Sequence, residues 1–206
     1  MKILIVDDHA VVRQGVRRLL SEMKHASIFE ASNGEEALAI FRKERPKLVL
    51  LDLNLPGIDG LELLRRMIGE NKRVRIVVFT VHAEPVYAVR ALKLGARAYV
   101  SKSAGVDELV TAIERVADGG SYVESEMAGQ LAVARFVSDA EDPLRQLSNR
   151  EIEILRLLGQ GKTLTEIART TGVAYKTVAN ACSKMKSKLG VGRTADLIRL
   201  SMQLNR

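Results

Sequence analysis

Asp7, Asp8, Asp52, Thr80 and Lys102 each stand where a short apolar run ends. Asp7 and Asp8 close Ile3-Leu4-Ile5-Val6, and Asp52 closes Leu48-Val49-Leu50-Leu51. Thr80 follows Ile76-Val77-Val78-Phe79, and Lys102 follows Ala98-Tyr99-Val100-Ser101. Gathered in one cleft, three acids, a hydroxyl and an ammonium make a site for phosphorylating an aspartate. Carboxylates crowd together only with a counter-ion, and a divalent metal supplies one.

What must position these groups is a sheet. Runs of this kind, separated by helix-length amphipathic stretches, read as buried parallel strands. In open α/β sheets ligands bind outside the carboxyl ends of the strands, which is where all five residues stand. Over residues 9–23, Val12, Val16, Leu19, Leu20 and Met23 recur at helical spacing. Residues 26–30 read as a second strand, and 34–45 as a helix ending before Pro46. Further helices are expected over 60–70, 85–94 and 106–118, giving five β/α pairs. Gly119-Gly120 breaks the pattern; 125–137 reads as one more helix and 138–143 as an acidic linker.

Charge divides the chain in the same place. Residues 1–147 hold 21 Lys and Arg against 21 Asp and Glu, whereas 148–206 hold 11 against 4. The excess of 11 − 4, seven positive charges, is the whole net charge of the 206-residue chain. A neutral front and a basic tail point to two domains, the second with an anionic partner. One cysteine excludes an internal disulfide and a cysteine-based zinc site. The start turns acidic too soon for a signal peptide, and no apolar run approaches the roughly 20 residues that span a bilayer. The expectation is a cytoplasmic protein without a membrane anchor.

After the linker only helices are expected. Ser148 with Glu151 and Thr163 with Glu166 have capping-box spacing. A helix over 164–171, the turn Gly172-Val173-Ala174 and a longer basic helix over 175–189 form a helix-turn-helix pattern. In the longer helix Val178, Cys182, Met185 and Leu189 make an apolar stripe, opposite Lys176, Asn180, Ser183, Lys184 and Ser187. Those donors suit phosphates and base edges.

At this point the chain resembles a known family. Val6-Asp7-Asp8-His9, the run from Asp52 through Asn54 and Pro56 to Gly60, Phe79-Thr80 and Tyr99-Val100-Ser101-Lys102 resemble the receiver domain of two-component response regulators. Leu147-Ser148-Asn149-Arg150-Glu151, Gly161, Glu166-Ile167-Ala168, Thr177-Val178 and Lys188-Leu189-Gly190-Val191 resemble the LuxR-type helix-turn-helix. Together they are similar to the NarL/FixJ subfamily. The resemblance implies an α/β fold, a doubly wound five-stranded parallel sheet of the flavodoxin-like kind, with a second, small all-α domain. It implies a receiver over 1–120, a linker with a helix over 121–146 and a DNA-binding domain over 147–206.

The resemblance also assigns roles. Asp52 takes the phosphoryl group from a sensor histidine kinase. Mg²⁺ is held by Asp8 and Asp52, by Asp7 through water, and by the backbone carbonyl of Asn54. Lys102 pairs with a phosphoryl oxygen, and Thr80 hydrogen-bonds the phosphate once formed. Tyr99 swings inward behind Thr80, while Asn54 and His82 stand where phosphate lifetime is tuned. Lys176, Thr177, Asn180, Ser183, Lys184 and Lys188 are the expected contacts to double-stranded promoter DNA, bound by a phosphorylated homodimer; RNA polymerase is a further implied partner. His9 and His25 read as surface or loop residues, and Cys182 as a packed core thiol.

Four positions depart from the family pattern: Thr171, Ala174, Ala179 and Ala181 stand where leucine, a capping serine, lysine and histidine are usual. They bear on the strength and sequence preference of DNA binding rather than on the fold. A phosphatase with an aspartyl-phosphate intermediate would need an Asp-x-Asp pair, and here Asp7 and Asp8 are adjacent. A helical tail that binds protein instead of DNA stays open as the alternative reading.

Overall fold

Four apolar runs fold as strands buried on both faces, as a parallel sheet requires, beside a partly exposed edge strand. They are β1 (Lys2–Val6), β2 (Ser27–Ala31), β3 (Leu48–Leu51), β4 (Arg75–Thr80) and β5 (Ala98–Ser101). Between them run α1 (Ala10–Ser21), α2 (Gly34–Glu44), α3 (Gly60–Glu70), α4 (Pro85–Lys93) and α5 (Val106–Ala117). The computed structural model describes residues 1–21, 26–125, 127–129 and 146–204. Met23 and His25 therefore lie outside the described residues, as do 138–143 and most of the helix read over 125–137, of which 125 and 127–129 are helical.

Ile3, Ile5, Leu48, Leu50, Val77 and Val100 share one cluster with Val16 and Leu20 of α1 and Leu109, Ile113 and Val116 of α5. Residues of the other parity, Leu4, Val49, Leu51, Ile76, Val78 and Tyr99, are as fully buried and face the opposite layer. Each side chain so buried contributes about 1.5–3 kcal/mol. The strand order β2-β1-β3-β4-β5 reverses direction at β1. Asp7 and Asp52 thus follow neighbouring strands at the switch point, where open sheets leave a crevice.

The sheet has six strands, not the five expected. Residues Tyr122–Val123 form β6, paired parallel to β5 with Ala98 opposite Tyr122 and Tyr99 opposite Val123. The stretch expected to be linker from residue 121 therefore begins as part of the sheet. Two residues are too few to show alternation, and Gly119-Gly120 signals only the turn before them. The Tyr122 N–H donates to the Arg97 carbonyl at 2.9 Å, and side chains add to this: the Tyr122 hydroxyl meets the Glu108 carboxylate, and the Arg115 guanidinium lies 5.4 Å from the Tyr122 ring centre.

By its contacts the chain divides into two compact units, Met1–Asp139 and Ala140–Arg206. In the second, α6 (Asn149–Gly159) and α7 (Leu164–Thr171) each begin with the expected capping box. Gly172 ends α7 at φ +67, the left-handed conformation that favours glycine, and so makes the tight turn into α8 (Tyr175–Leu189). As expected, Ala174 gives α8 no side-chain cap. A fourth helix, α9 (Thr194–Leu204), was not delimited from the sequence. It packs so closely on α6 that a Cβ at Gly159 would come within 2.1 Å of the Ser201 hydroxyl. Among the described residues no helix is long and apolar enough to cross a membrane.

Candidate functional site

Backbone pairing sets the acceptor in place before any side chain acts. The Asp52 N–H donates to the Val6 carbonyl at 2.9 Å, and the Lys102 N–H to the Thr80 carbonyl at 2.7 Å. The β3–α3 loop is clamped at its far end by Gly60, where a Cβ would lie 2.4 Å from the Leu53 Cα. Any other residue there would push the loop away from Asp52. Asp59 caps α3 by accepting from the Leu61 and Glu62 N–H groups.

Asp7 and Asp52 are both 2 % exposed, and the Lys102 ammonium bridges them. Its Nζ is 2.5 Å from Asp52 Oδ2 and 2.6 Å from Asp7 Oδ2. The other carboxylate oxygens are also held: Asp7 Oδ1 accepts the His9 N–H at 2.8 Å, and Asp52 Oδ1 the Asn54 N–H at 3.0 Å. Burial alone would lower the Lys102 pKa, but the charge of Asp52 and hydrogen bonds to Asp52 and Asp7 outweigh it and raise it. Lys102 is therefore a permanent cation in the cleft.

Asp7, Asp8, His9 and Asp52 bring ligand atoms within 4.8 Å of one another. The Asp8 carboxylate is more open to solvent than those of Asp7 and Asp52. His9 is a surface residue, as expected, yet its Nδ1 lies 2.6 Å from Asp8 Oδ1. Its place directly after the acidic pair was the available signal for that contact. A set of carboxylate oxygens is the donor chemistry of a hard divalent cation.

Thr80 is fully buried, with Oγ1 3.5 Å from the His82 N–H. Tyr99 is also fully buried and points inward, its hydroxyl donating to the His82 carbonyl at 2.7 Å. Burial pushes the Tyr99 phenol well above its ordinary pKa, so it stays a donor. The sequence-predicted residues Asp7, Asp8, Asp52, Asn54 and Lys102 are thus brought together, and Thr80 and Tyr99 meet through His82.

On α8 the apolar stripe faces inward, with Val178, Cys182 and Met185 buried. Burial raises the Cys182 thiol pKa, in keeping with a packed core thiol. Lys176, Thr177, Asn180, Ser183 and Lys184 are exposed, whereas Ala179 and Ala181 are half-buried. Lys188 is exposed as well and makes an ion pair besides. Its Nζ lies 2.7 and 3.0 Å from the two oxygens of the buried Glu151 carboxylate. That ion pair joins α8 to the start of α6, while 38 % of the Lys188 side chain stays exposed.

Residues 3–114 match the response regulator receiver domain, and residues 145–201 the luxR family of bacterial regulatory proteins. The chain is 35 % identical over 205 residues to the response regulator UvrY of Escherichia coli (strain K12), covering 98 % of this chain and 94 % of that protein. It is 36 % identical over 206 residues to the transcriptional activator protein ExaE of Pseudomonas putida, covering 98 % and 96 %. Among solved structures, it is similar to RcsB of Salmonella enterica serovar Typhimurium bound to promoter P1flhDC with a phosphomimetic. The TM-score is 0.63 at 25 % identity, over 98 % of both chains.

Proposed function

Since this chain belongs to the response regulators, with a receiver domain followed by a LuxR-type regulatory domain, we propose that phosphorylation of Asp52 switches its binding to promoter DNA. The observation that carries this reading is the Lys102 bridge between two buried carboxylates at the crevice of the sheet. An Asp52 oxygen attacks the phosphorus of a kinase phosphohistidine; the new P–O bond replaces the P–N bond, and the imidazole leaves. Lys102 turns from the carboxylate toward a phosphoryl oxygen and offsets the charge gathering there. Thr80 donates its hydroxyl to the bound phosphate. Asp8 and Asp52, with the Asn54 carbonyl and Asp7 through water, would hold Mg²⁺, which would neutralise charge shared by nucleophile and phosphoryl group. The protein transfers a phosphoryl group only to and from itself.

We assign Lys176, Thr177, Asn180, Ser183, Lys184 and Lys188 to the DNA face, because they are exposed on the basic helix after the turn. UvrY is a response regulator, ExaE a transcriptional activator, and RcsB has been seen on a promoter. These relatives favour DNA over a protein partner for the helical unit. The phosphorylated form acts as a homodimer in the cytoplasm, where kinase, DNA and RNA polymerase are its partners. Acetyl phosphate with Mg²⁺ is expected to add one acid-stable, base-labile phosphoryl group, read by intact-mass spectrometry. Asp52→Ala should take up none; equal labelling of both proteins would move the acceptor elsewhere.

A further inference from the structure

The loop between β4 and α4 carries exposed Val81 and Ala83 on either side of one buried residue, His82. Three elements converge on it. From β4, Thr80 Oγ1 faces its N–H, and from β5, the Tyr99 hydroxyl donates to its carbonyl at 2.7 Å. From α4, the Tyr87 ring stacks on its imidazole with centroids 4.2 Å apart and planes 21° from parallel. Tyr87 is itself fully buried in the first turn of α4, behind Pro85 and a Tyr87 N–H to Glu84 carbonyl bond of 3.1 Å. The stack ties the loop side chain to a rigid helix, beside a 4.0 Å approach of the His82 Nδ1 to the Glu84 carboxylate at the N-cap of α4, while the other two use the His82 backbone.

We propose that Tyr87 is a positioning residue of the switch: its ring holds His82 so that the His82 carbonyl stays within reach of the inward Tyr99 hydroxyl. This deepens the reading of Thr80 and Tyr99 as switch residues and rests on it. The physical reason is that a buried hydroxyl without an acceptor is unfavourable. If the stack is lost, the loop and its carbonyl drift, and Tyr99 gains by turning outward to water. The inward form is therefore set partly by a residue of α4.

The test places 3-fluorotyrosine at position 99 alone in the full-length chain and reads its ¹⁹F resonance, with no phosphodonor added. Stacked aromatic pairs are favoured over simple burial by a factor of roughly three to ten. Tyr87→Leu, which fills the space without the stack, should raise the outward-to-inward ratio by about that factor. His82→Ala removes the same stack from the loop side, together with the 4.0 Å approach to Glu84, while keeping the carbonyl, and should do the same; Glu84→Gln, which keeps the stack, should match wild type. Tyr87→Phe should match wild type, and the Leu/Ala double variant should be no worse than either single change. Should Tyr87→Leu fail to fold, His82→Ala decides alone. An unchanged resonance in folded His82→Ala would overturn the proposal, as would Tyr87→Phe behaving like Tyr87→Leu. Failure of Asp52 as the acceptor would leave this measurement standing, because no phosphorylation enters it.

Discussion

Lys102→Ala is expected to slow labelling of Asp52 by acetyl phosphate about 10²- to 10³-fold, the usual cost of removing one charge-stabilising donor. Lys102 is the cation that contacts both buried carboxylates, at 2.5 and 2.6 Å, so its loss is felt twice. In the resting protein two carboxylates lose their counter-ion. In the transition state a phosphoryl oxygen loses its partner. The second effect governs the rate, and the labelling time course at saturating Mg²⁺ measures it. Lys102→Arg should recover only part of the rate, because a planar guanidinium does not replace a compact ammonium at a single oxygen. Labelling within threefold of wild type would reduce Lys102 to a resting counter-ion.

Glu151→Ala should cost the helical unit roughly 2–3 kcal/mol. The sum is about 1 kcal/mol for its part in the capping box and a share of a buried ion pair, discounted because Lys188 is partly solvated. Glu151 accepts the Ser148 N–H at 2.7 Å and both Lys188 contacts, so one carboxylate closes two helices. Burial alone would raise its pKa, but the Lys188 and Ser148 interactions win and hold it below the ordinary value of 4.5. A carboxylate depressed by folding stabilises above its unfolded pKa, and that stability is lost as pH falls through the folded value. Urea unfolding of the full-length chain should therefore show the helical transition weakening below about pH 4.5 in wild type, and less steeply in Glu151→Gln. Parallel pH curves for the two proteins would refute the role given to Glu151.

Glu151 and Lys188 also mark where sequence reading runs out. A lysine in a basic helix reads as a phosphate contact, and only the fold reveals that Glu151, 37 positions earlier, also meets its ammonium. Local signals fared better. The Asp, Thr and Lys residues were legible as strand ends because buried parallel strands must be apolar and chemistry must begin where they stop. Helix α3 begins at Gly60 and ends at Glu70 as expected, since Asp59 caps it and Gly60 alone fits against Leu53. Strand β6 was not legible, for two residues are too short to show a pattern, and what holds them is pairing to β5 and the contacts of Tyr122 with Glu108 and Arg115. Tyr87 was not singled out within the helix expected over 85–94. That its ring meets His82 depends on how α4 packs beneath the loop.

The central claim, that phosphorylation of Asp52 tightens DNA binding, is met most directly by one titration. The full-length protein would be bound to a duplex that it has selected from random sequence, at fixed salt, with and without acetyl phosphate and Mg²⁺. Pairing two helix-turn-helix units on half-sites roughly 10 bp apart raises affinity without a new contact type. Phosphorylated wild type should bind at least about tenfold more tightly than the unmodified protein, well inside what such pairing can supply. Asp52→Ala should bind weakly in both conditions. Equal affinity of labelled and unlabelled wild type, or a phosphodonor response retained in Asp52→Ala, would contradict the account.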